Sequence, residues 1–233
     1  MLITATLKRG RMVEVIRAIL FDLDRTLLDR DSSVRRFVED QHHRFSSSLV
    51  GIPEGEFCEL FEELDQHGYV PKENVYAQLV KRYELDPLMS EQLHEDYNET
   101  FKYHCVPFSG VGELLDQLRA MGIQLGIITN GHGAFQMENI RALGIESYFE
   151  AILISEIEGV KKPDSQIFHA ALERMGVTPE ESVFVGDHME KDVLAAEKIG
   201  MTGVWKQAFG EEDERCKYVI NDLRDLLFLL KQM

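Results

Sequence analysis

The chain has 233 residues, with 25 lysines and arginines against 41 aspartates and glutamates, which gives a formal net charge of −16 at pH 7. Nucleic acids and anionic membranes are normally bound by basic patches, so we expect neither among the partners of this chain. Hydrophobic residues make up 44% of the chain, enough for a sizeable core, but no run reaches the roughly 18 to 20 apolar residues of a membrane helix.

The amino-terminal segment and the cysteines give further expectations. Charged residues interrupt the apolar start, so we expect no targeting segment, and we interpret residues 1–11 as an extension because Met12 lies just before the first apolar run. The cysteines Cys58, Cys105 and Cys216 are odd in number and far apart, which argues against a disulfide framework. We therefore expect a cytoplasmic protein that is a monomer or a homodimer.

Two kinds of periodicity divide the first half of the chain. The short apolar run at residues 16–23 predicts a buried strand that leads into an acidic loop. From about Ser33 to residue 104 the apolar spacing is helical, and prolines and glycines break it into about four helices. This pattern predicts an α-helical domain over residues 31–106, inserted into a core domain formed by residues 12–30 and 107–233.

Strands and helices alternate after Pro107. This alternation predicts an α/β fold with a Rossmann-like, doubly wound parallel sheet, in which ligands bind outside the carboxyl ends of the strands. Polar clusters follow three of the predicted strands, at residues 22–24, 129–131 and 186–187. The predicted strands are residues 123–128, 151–154, 183–185 and 203–205, and the predicted helices are residues 111–118, 135–143, 166–175 and 193–199.

Asp22 and Asp24 stand two positions apart at the end of the first predicted strand. In an extended segment this spacing sends both side chains toward one pocket. Neighbouring carboxylates push their pKa values apart, so such a pair can divide the roles of nucleophile and acid/base. A solvated acidic turn or a helix cap would give the same pattern, so this motif alone leaves both interpretations open.

Thr129, Asn130 and Gly131 lie between a predicted strand and a predicted helix. A hydroxyl, an amide and backbone N–H groups at a helix amino terminus can bind an anion, although Asn-Gly is also a common turn. Lys162 precedes Pro163, which we expect in the first turn of the next helix, and a lysine held there can reach a phosphate. The alternative is a solvated surface lysine, and the sequence does not separate Lys162 from its neighbour Lys161.

Gly186 and Asp187 end the strand predicted at residues 183–185, and Asp192 follows five positions after Asp187. An aspartate at this end of the sheet, facing Asp22, offers the hard oxygen ligands that Mg²⁺ prefers. His188 with these carboxylates does not form a recognisable zinc or copper set. Helix capping is the alternative role for both aspartates.

Four motifs occur in the order of the chain, and together they resemble the haloacid dehalogenase-like hydrolase superfamily over about residues 19–205. The helical insert resembles the α-helical cap of the first cap class of that superfamily, which implies a lid that excludes water and shapes the leaving-group pocket. The motifs are Asp22-Leu23-Asp24-Arg25-Thr26-Leu27, Thr129-Asn130, Lys162-Pro163-Asp164 and Gly186-Asp187 with Asp192.

The resemblance implies a covalent mechanism of phosphoryl transfer. Asp22 would attack phosphorus to form an aspartyl-phosphate, while Asp24 would protonate the leaving oxygen and then activate water. Mg²⁺ would be held by Asp22, Asp187 and the backbone carbonyl of Asp24, with Asp192 as a supporting carboxylate. The substrate phosphate would be bound by Thr129, Asn130, Gly131 and Lys162.

Electrostatics independently requires cations at such a site, because several carboxylates would repel a phosphate dianion.

The resemblance implies a phosphatase acting on a small phosphate ester such as a sugar phosphate or nucleoside monophosphate, and Asp24 is the residue that favours phosphoryl transfer over 2-haloacid dehalogenation. A sugar phosphomutase and a catalytically silent binding module remain alternatives. Arg25 departs from the residues commoner at its position and leaves specificity open, as do the candidate cap residues Arg35, Arg36, His42, His43 and Lys72.

Overall fold

A computed structural model of the protein describes residues 15–207 and 213–233. The predicted extension at residues 1–11, and the start at Met12, lie outside the described residues. The described residues form two compact units, one built from residues 15–28 and from the described residues from Pro107 onward, the other from Asp29 to Val106. We call them the α/β unit and the helical unit.

Four α-helices form the helical unit. Asp29 caps the first of them by accepting a hydrogen bond from the backbone N–H of Ser32, and fully buried aromatic residues such as Phe37, Phe57 and Tyr76 fill the space between the helices. Aromatic side chains bury large apolar areas and so dominate such a core. The helices are α1 (Arg30–Arg44), α2 (Glu54–Asp65), α3 (Lys72–Arg82) and α4 (Leu88–Thr100).

A six-stranded parallel sheet forms the centre of the α/β unit, which confirms the predicted fold class. The strand order is β3-β2-β1-β4-β5-β6, so the order reverses at β1, between β2 and β4. Every residue of β1 is fully buried, as expected for the central strand of such a sheet. The strands are β1 (Ala18–Phe21), β2 (Gln124–Thr129), β3 (Ala151–Ile154), β4 (Ser182–Gly186), β5 (Thr202–Lys206) and β6 (Val219–Ile220).

Two predictions about the helices of the α/β unit were wrong, and the short helices Ser155–Glu158 and Leu226–Leu230 were not predicted. The helix predicted over residues 193–199 is a π-helical turn at Met189–Val193 followed by the short helix Leu194–Glu197. Pro163 does not lie in the first helical turn, because Asp164 caps a helix that begins at Ser165. The helices are α5 (Val111–Ala120), α6 (Gly133–Ala142), α7 (Ser155–Glu158), α8 (Ser165–Met175), α9 (Leu194–Glu197) and α10 (Leu226–Leu230).

Membrane insertion finds no support in the helices of residues 15–207 and 213–233. None of them combines the length and the apolar character that crossing a bilayer requires.

Candidate active site

The carboxyl ends of three neighbouring strands place polar residues at one edge of the sheet. Phe21, the last residue of β1, is in register with Ile127 of β2 and Val185 of β4. The chain continues in extended form for one more residue, since the N–H of Asp22 donates to the carbonyl of Val185 at 2.9 Å. By this register Asp22 is level with Ile128, one residue before the end of β2 at Thr129, and with Gly186, the last residue of β4.

A buried lysine connects two of the predicted aspartates. Lys162 Nζ lies 2.6 Å from Asp22 Oδ1 and 2.6 Å from Asp192 Oδ1. All three residues are almost completely buried, with 3%, 7% and 1% of their surface exposed for Lys162, Asp22 and Asp192 respectively. Lys161 is exposed, so the structure separates the two lysines that the sequence left undistinguished.

Two hydrogen bonds from Asn130 fix the backbone of Lys162. The Asn130 side chain donates from Nδ2 to the carbonyl of Lys162 at 3.0 Å and accepts from its N–H at 2.9 Å. This amide was predicted to bind substrate, and in the structure both of its polar atoms bond to the main chain of the lysine. Asn130 thus ties the lysine to the end of β2.

Asp187 and Asp192 complete the group of acidic residues after β4. The backbone carbonyl of Asp187 accepts a hydrogen bond from the indole Nε1–H of Trp205 at 2.8 Å. Asp192 Oδ2 accepts from the backbone N–H of His188 at 3.0 Å, which closes the turn between the two aspartates. Gly186 is needed at this point, because a Cβ there would lie 2.4 Å from a carboxylate oxygen of Asp192.

Burial and mutual repulsion control the protonation of this cluster. Burial raises the pKa of Asp22 well above its usual range, Lys162 lowers it, and the neighbouring aspartates raise it further. Burial and the charge of Asp192 raise the pKa of Asp187 to about 7. Burial by itself lowers the pKa of Lys162, but Asp192 and Asp22 raise it by more, so the ammonium group stays charged.

The cluster fits a divalent cation. One carboxylate oxygen from each of Asp22, Asp187 and Asp192 lies within 4.8 Å of the other two. These oxygens are ligands of the kind Mg²⁺ prefers, and three carboxylates share the site with one ammonium group, that of Lys162, which pairs with Asp22 and Asp192. The side chain of Asp24 accepts a hydrogen bond from Gln136, and the predicted contribution of Asp24 to metal binding is its backbone carbonyl.

Asp24 and Thr129 share a partner that the sequence analysis did not identify. The Nε2 atom of Gln136 lies 2.6 Å from Asp24 Oδ2, 3.0 Å from Thr129 Oγ1 and 3.4 Å from the carbonyl of Asn130. Gln136 is a buried polar residue in the first turn of α6, seven residues after Thr129. The apolar periodicity of a helix carries no signal for a buried polar side chain, although the turn after β2 directs this face of α6 toward the site.

Gly131 was predicted to help bind the substrate phosphate. In the structure its N–H donates to Ser155 Oγ at 3.0 Å, while the N–H of Gly133 donates to Glu156 Oε2 at 2.6 Å. Side chains that follow β3 therefore satisfy two backbone donors at the amino terminus of α6. The role of Gly131 in phosphate binding stays a prediction.

Arg25 occupies a left-handed backbone conformation directly after Asp24, with φ of 61°. Its N–H donates to the carbonyl of Leu28 at 2.8 Å, and its carbonyl accepts from Lys206 Nζ at 2.8 Å. Glycine adopts this conformation without steric cost, whereas the Cβ atom of an arginine makes it costly. The buried Lys206 at the end of β5 thus holds the turn that carries Asp24.

The candidate specificity residues of the helical unit are engaged within that unit or exposed. Arg35 donates to Glu39 at 2.9 Å, and Lys72 pairs with the buried Asp65. The remaining candidates are His42, whose Nε2 lies 2.9 Å from the carbonyl of Ile52, His43, whose Nε2 lies 2.8 Å from a Glu54 oxygen, and Arg36, which is exposed.

Comparisons with known proteins place this arrangement in a family. Residues 19–206 match the model of the haloacid dehalogenase-like hydrolases. A glyceraldehyde 3-phosphate phosphatase of Pyrococcus furiosus is 33% identical in an alignment of 233 positions, gaps included, which covers 93% of this chain and 94% of that protein.

Solved structures show the same fold. A haloacid dehalogenase-family phosphatase of Thermococcus onnurineus is 29% identical, with a TM-score of 0.64 over 92% of this chain and 97% of that chain. A magnesium-bound hydrolase of the family from Bacillus subtilis is 21% identical, with a TM-score of 0.75 over 93% of this chain and 99% of that chain. The order of the motifs, the strand ends that carry them and these matches agree, and the chain belongs to the haloacid dehalogenase-like hydrolase family.

Proposed function

We propose that this chain is a Mg²⁺-dependent phosphatase that hydrolyses small phosphorylated metabolites through a phosphoryl group carried on Asp22. The observation that supports this most directly is the buried cluster in which Asp22 lies 2.6 Å from Lys162 Nζ and within 4.8 Å of Asp187 and Asp192. A carboxylate at the end of a central strand, beside a fixed ammonium, is well placed for nucleophilic attack on an anionic substrate.

In the first half of the reaction, an oxygen of Asp22 bonds to phosphorus and the bond between phosphorus and the ester oxygen breaks. Asp24 transfers its proton to the departing oxygen, so the product leaves as a neutral alcohol. Lys162 stays protonated and offsets the charge of the phosphoryl oxygens, and the hydroxyl of Thr129 donates a hydrogen bond to one of them.

In the second half, water attacks the phosphorus of the aspartyl-phosphate and Asp24 accepts the proton that the water loses. The bond between Asp22 and phosphorus breaks, which releases inorganic phosphate and restores both carboxyl groups. Asp24 thus acts first as an acid and then as a base, which suits a carboxyl group held beside the nucleophile rather than paired with the lysine.

A divalent metal fits this site. Asp22, Asp187 and the backbone carbonyl of Asp24 would hold Mg²⁺, with Asp192 in support through its ion pair with Lys162. When bound, the ion supplies positive charge that lets a phosphate dianion approach the carboxylates.

The proposed substrates are small phosphomonoesters, with sugar phosphates as the first class to test. This choice follows from the relative named as a glyceraldehyde 3-phosphate phosphatase, which this chain resembles over nearly its whole length. Asp24 favours phosphate esters over 2-haloacids, because a leaving halide needs no proton. A phosphomutase would share the first step, and incubation with a hexose 1-phosphate distinguishes the two, since a phosphatase releases inorganic phosphate and a mutase returns an isomer.

The proposal includes a cytoplasmic location and a monomeric or homodimeric assembly. Cys58, Cys105 and Cys216 are all free thiols, which suits a reducing compartment. Light scattering of the purified protein measures the assembly.

The metal requirement gives the test of the proposal. Phosphate release from a panel of phosphorylated metabolites should fall to background in excess EDTA and return when Mg²⁺ is added in excess, whereas full turnover in EDTA would contradict the metal assignment. Trp205 offers a second readout, since the chain has one tryptophan and its indole bonds to the Asp187 carbonyl. Mg²⁺ should change its fluorescence, and Asp187→Ala should weaken that response.

A further inference from the structure

Gln136 is a buried amide that none of the predicted roles includes, and its side chain lies between two proposed functional groups. Only 3% of its surface is exposed. Its Nε2 atom is closest to Asp24 Oδ2, at 2.6 Å, and next closest to Thr129 Oγ1, at 3.0 Å. The two hydrogens of one amide can therefore be directed to the carboxyl group of Asp24 and to the hydroxyl of Thr129.

The chemistry of the neighbours fixes which way the amide points. The main-chain carbonyl of Asn130 only accepts hydrogen bonds and lies 3.4 Å from the Gln136 atom that faces Asp24, so that atom is the nitrogen. Gln136 Oε1 in turn accepts a hydrogen bond from Asn139 Nδ2 at 3.2 Å. Rotation of the amide by 180° would place its oxygen against the Asn130 carbonyl and its nitrogen against the Asn139 Nδ2 donor, and both contacts would become repulsive.

The backbone of the neighbouring turn leaves room for this side chain. A Cβ atom at Gly131 would lie 2.8 Å from Gln136 Cγ, close to the stem of the side chain rather than at its flexible end. Any other residue at position 131 would displace Gln136 from beneath the turn. The absence of a side chain at Gly131 therefore serves the placement of the glutamine.

We propose that Gln136 is a positioning residue that orients Asp24 for proton transfer to the leaving group, an inference that rests on the proposed function. The amide N–H bonds to Oδ2, so the acid form of Asp24 carries its proton on Oδ1. That proton passes to the ester oxygen as the bond to phosphorus breaks, and the amide neither gains nor loses a proton. Asn139 holds the amide in this orientation from the other side.

Leaving-group dependence separates this role from a merely structural one. An alkyl phosphate has to leave as an alcohol and needs the proton, whereas p-nitrophenolate is a weak base and leaves without it. The ratio kcat/KM reports the steps through formation of the aspartyl-phosphate, in which the leaving group departs. The measurement is therefore kcat/KM for an alkyl phosphate from the substrate panel and for p-nitrophenyl phosphate, in each variant.

For Gln136→Leu we expect kcat/KM to fall roughly 10- to 100-fold for the alkyl phosphate and at most about threefold for p-nitrophenyl phosphate. The loss for the alkyl phosphate is smaller than that for removing the acid itself, because Asp24 is still present but less well oriented. Gln136→Met tests the same point with a more flexible side chain if the leucine variant does not fold. Asp24→Asn should show the same selectivity with a larger loss. The double variant should match Asp24→Asn in its ratio between the two substrates, because Gln136 acts through Asp24.

Gln41→Leu is the matched control. Gln41 is a fully buried amide of the helical unit that donates to the carbonyl of Leu93 at 2.9 Å. Its loss should lower the melting temperature and leave the ratio between the two substrates unchanged.

Equal losses on both substrates in the Gln136 variants, with a selective loss in Asp24→Asn, would overturn the positioning role alone. Equal losses on both substrates in Asp24→Asn itself would remove Asp24 as the acid. In that case the proposed function would have to change, and the role of Gln136 would fall with it.

Discussion

The two units of the molecule each bury charged side chains, and they balance those charges in opposite ways. In the α/β unit, Asp22, Asp187 and Asp192 surround Lys162, and we call these four residues the carboxylate cluster. In the helical unit, Asp65 lies between Arg30 and Lys72, and we call these three the ion triad. One group carries more anions than cations, and the other more cations than anions.

The pKa values of the two central aspartates follow that difference. Burial alone raises the pKa of both Asp22 and Asp65. For Asp65, two cations outweigh burial and lower the pKa, whereas for Asp22 further carboxylates add to burial and the pKa stays raised. Removing a buried aspartate that has surplus cations destabilises a fold, because it leaves buried cations unpaired, while a buried aspartate with surplus anions is a candidate to bind a cation or to react.

Asp22→Asn should produce the largest effect, because an amide is a poor nucleophile. We expect kcat/KM to fall by at least about 10⁴-fold, a loss typical of removing a nucleophile. The free energy of unfolding should change by less than about 1 kcal/mol, since the loss of one ion pair is offset by relief of repulsion in the carboxylate cluster. Phosphate release and urea unfolding measure the two quantities, and residual turnover near the wild-type rate would exclude Asp22 as the nucleophile.

Asp65→Asn should have the opposite pattern, a large loss of stability with little change in turnover. The carboxylate of Asp65 accepts from both terminal nitrogens of Arg30, at 2.8 and 3.2 Å, and removing its charge leaves a buried guanidinium uncompensated. We expect a loss of about 3 kcal/mol in the free energy of unfolding, as for other broken buried ion pairs. Turnover per folded molecule of the variant should stay within about threefold of wild type, because the change removes ion pairs of the helical unit and no proposed reacting group.

The pH dependence of this loss provides a control. Since folding lowers the pKa of Asp65, its contribution is complete above its unfolded pKa of about 3.9 and disappears as the pH falls through the lower folded value. The stability difference between wild type and Asp65→Asn should therefore be constant near neutrality and shrink below about pH 4. A difference that grew on acidification would contradict the assignment of the ion triad as a stabilising group.

A smaller effect is expected at Arg25, whose strained backbone lies beside the carboxylate cluster. With φ at 61°, a Cβ atom is costly, so Arg25→Gly should unfold with a free energy about 1 kcal/mol higher than Arg25→Ala. Both variants lack the guanidinium group, so the comparison isolates the backbone. Equal stability of the two variants would mean that the turn relaxes when the side chain is removed.

Much of the site was predictable because parallel strands bring their carboxyl ends to one edge. The apolar runs that became β1, β2 and β4 each end next to a predicted residue, namely Asp22, Thr129 and Asp187. The two-residue strand β6 was not predicted, since Val219 and Ile220 are too short a run to show a period. The short-range pattern therefore located the ends of the main strands and the edge strand β3, and missed the other edge strand, β6.

The remaining parts of the site depend on contacts between residues distant in sequence. Lys161 and Lys162 are chemically identical, and only the fold buries one of them against Asp22, 140 positions earlier in the chain. Gln136 meets Asp24 across a separation of 112 residues. No local periodicity encodes such pairings, because each depends on how α6 and the loop after α7 pack on the sheet.

The amide of Asn130 has a consequence for how this protein can diverge. The Asn130 side chain bonds to both the carbonyl and the N–H of Lys162 from the end of β2. These bonds hold the main chain that carries the ammonium group, and they do not involve the segment between α7 and Lys162. We therefore expect insertions or deletions at residues 159–161 to leave the main chain of Lys162 in place. Residues 159–161 are therefore the segment next to Lys162 at which the loop between α7 and α8 can be redesigned.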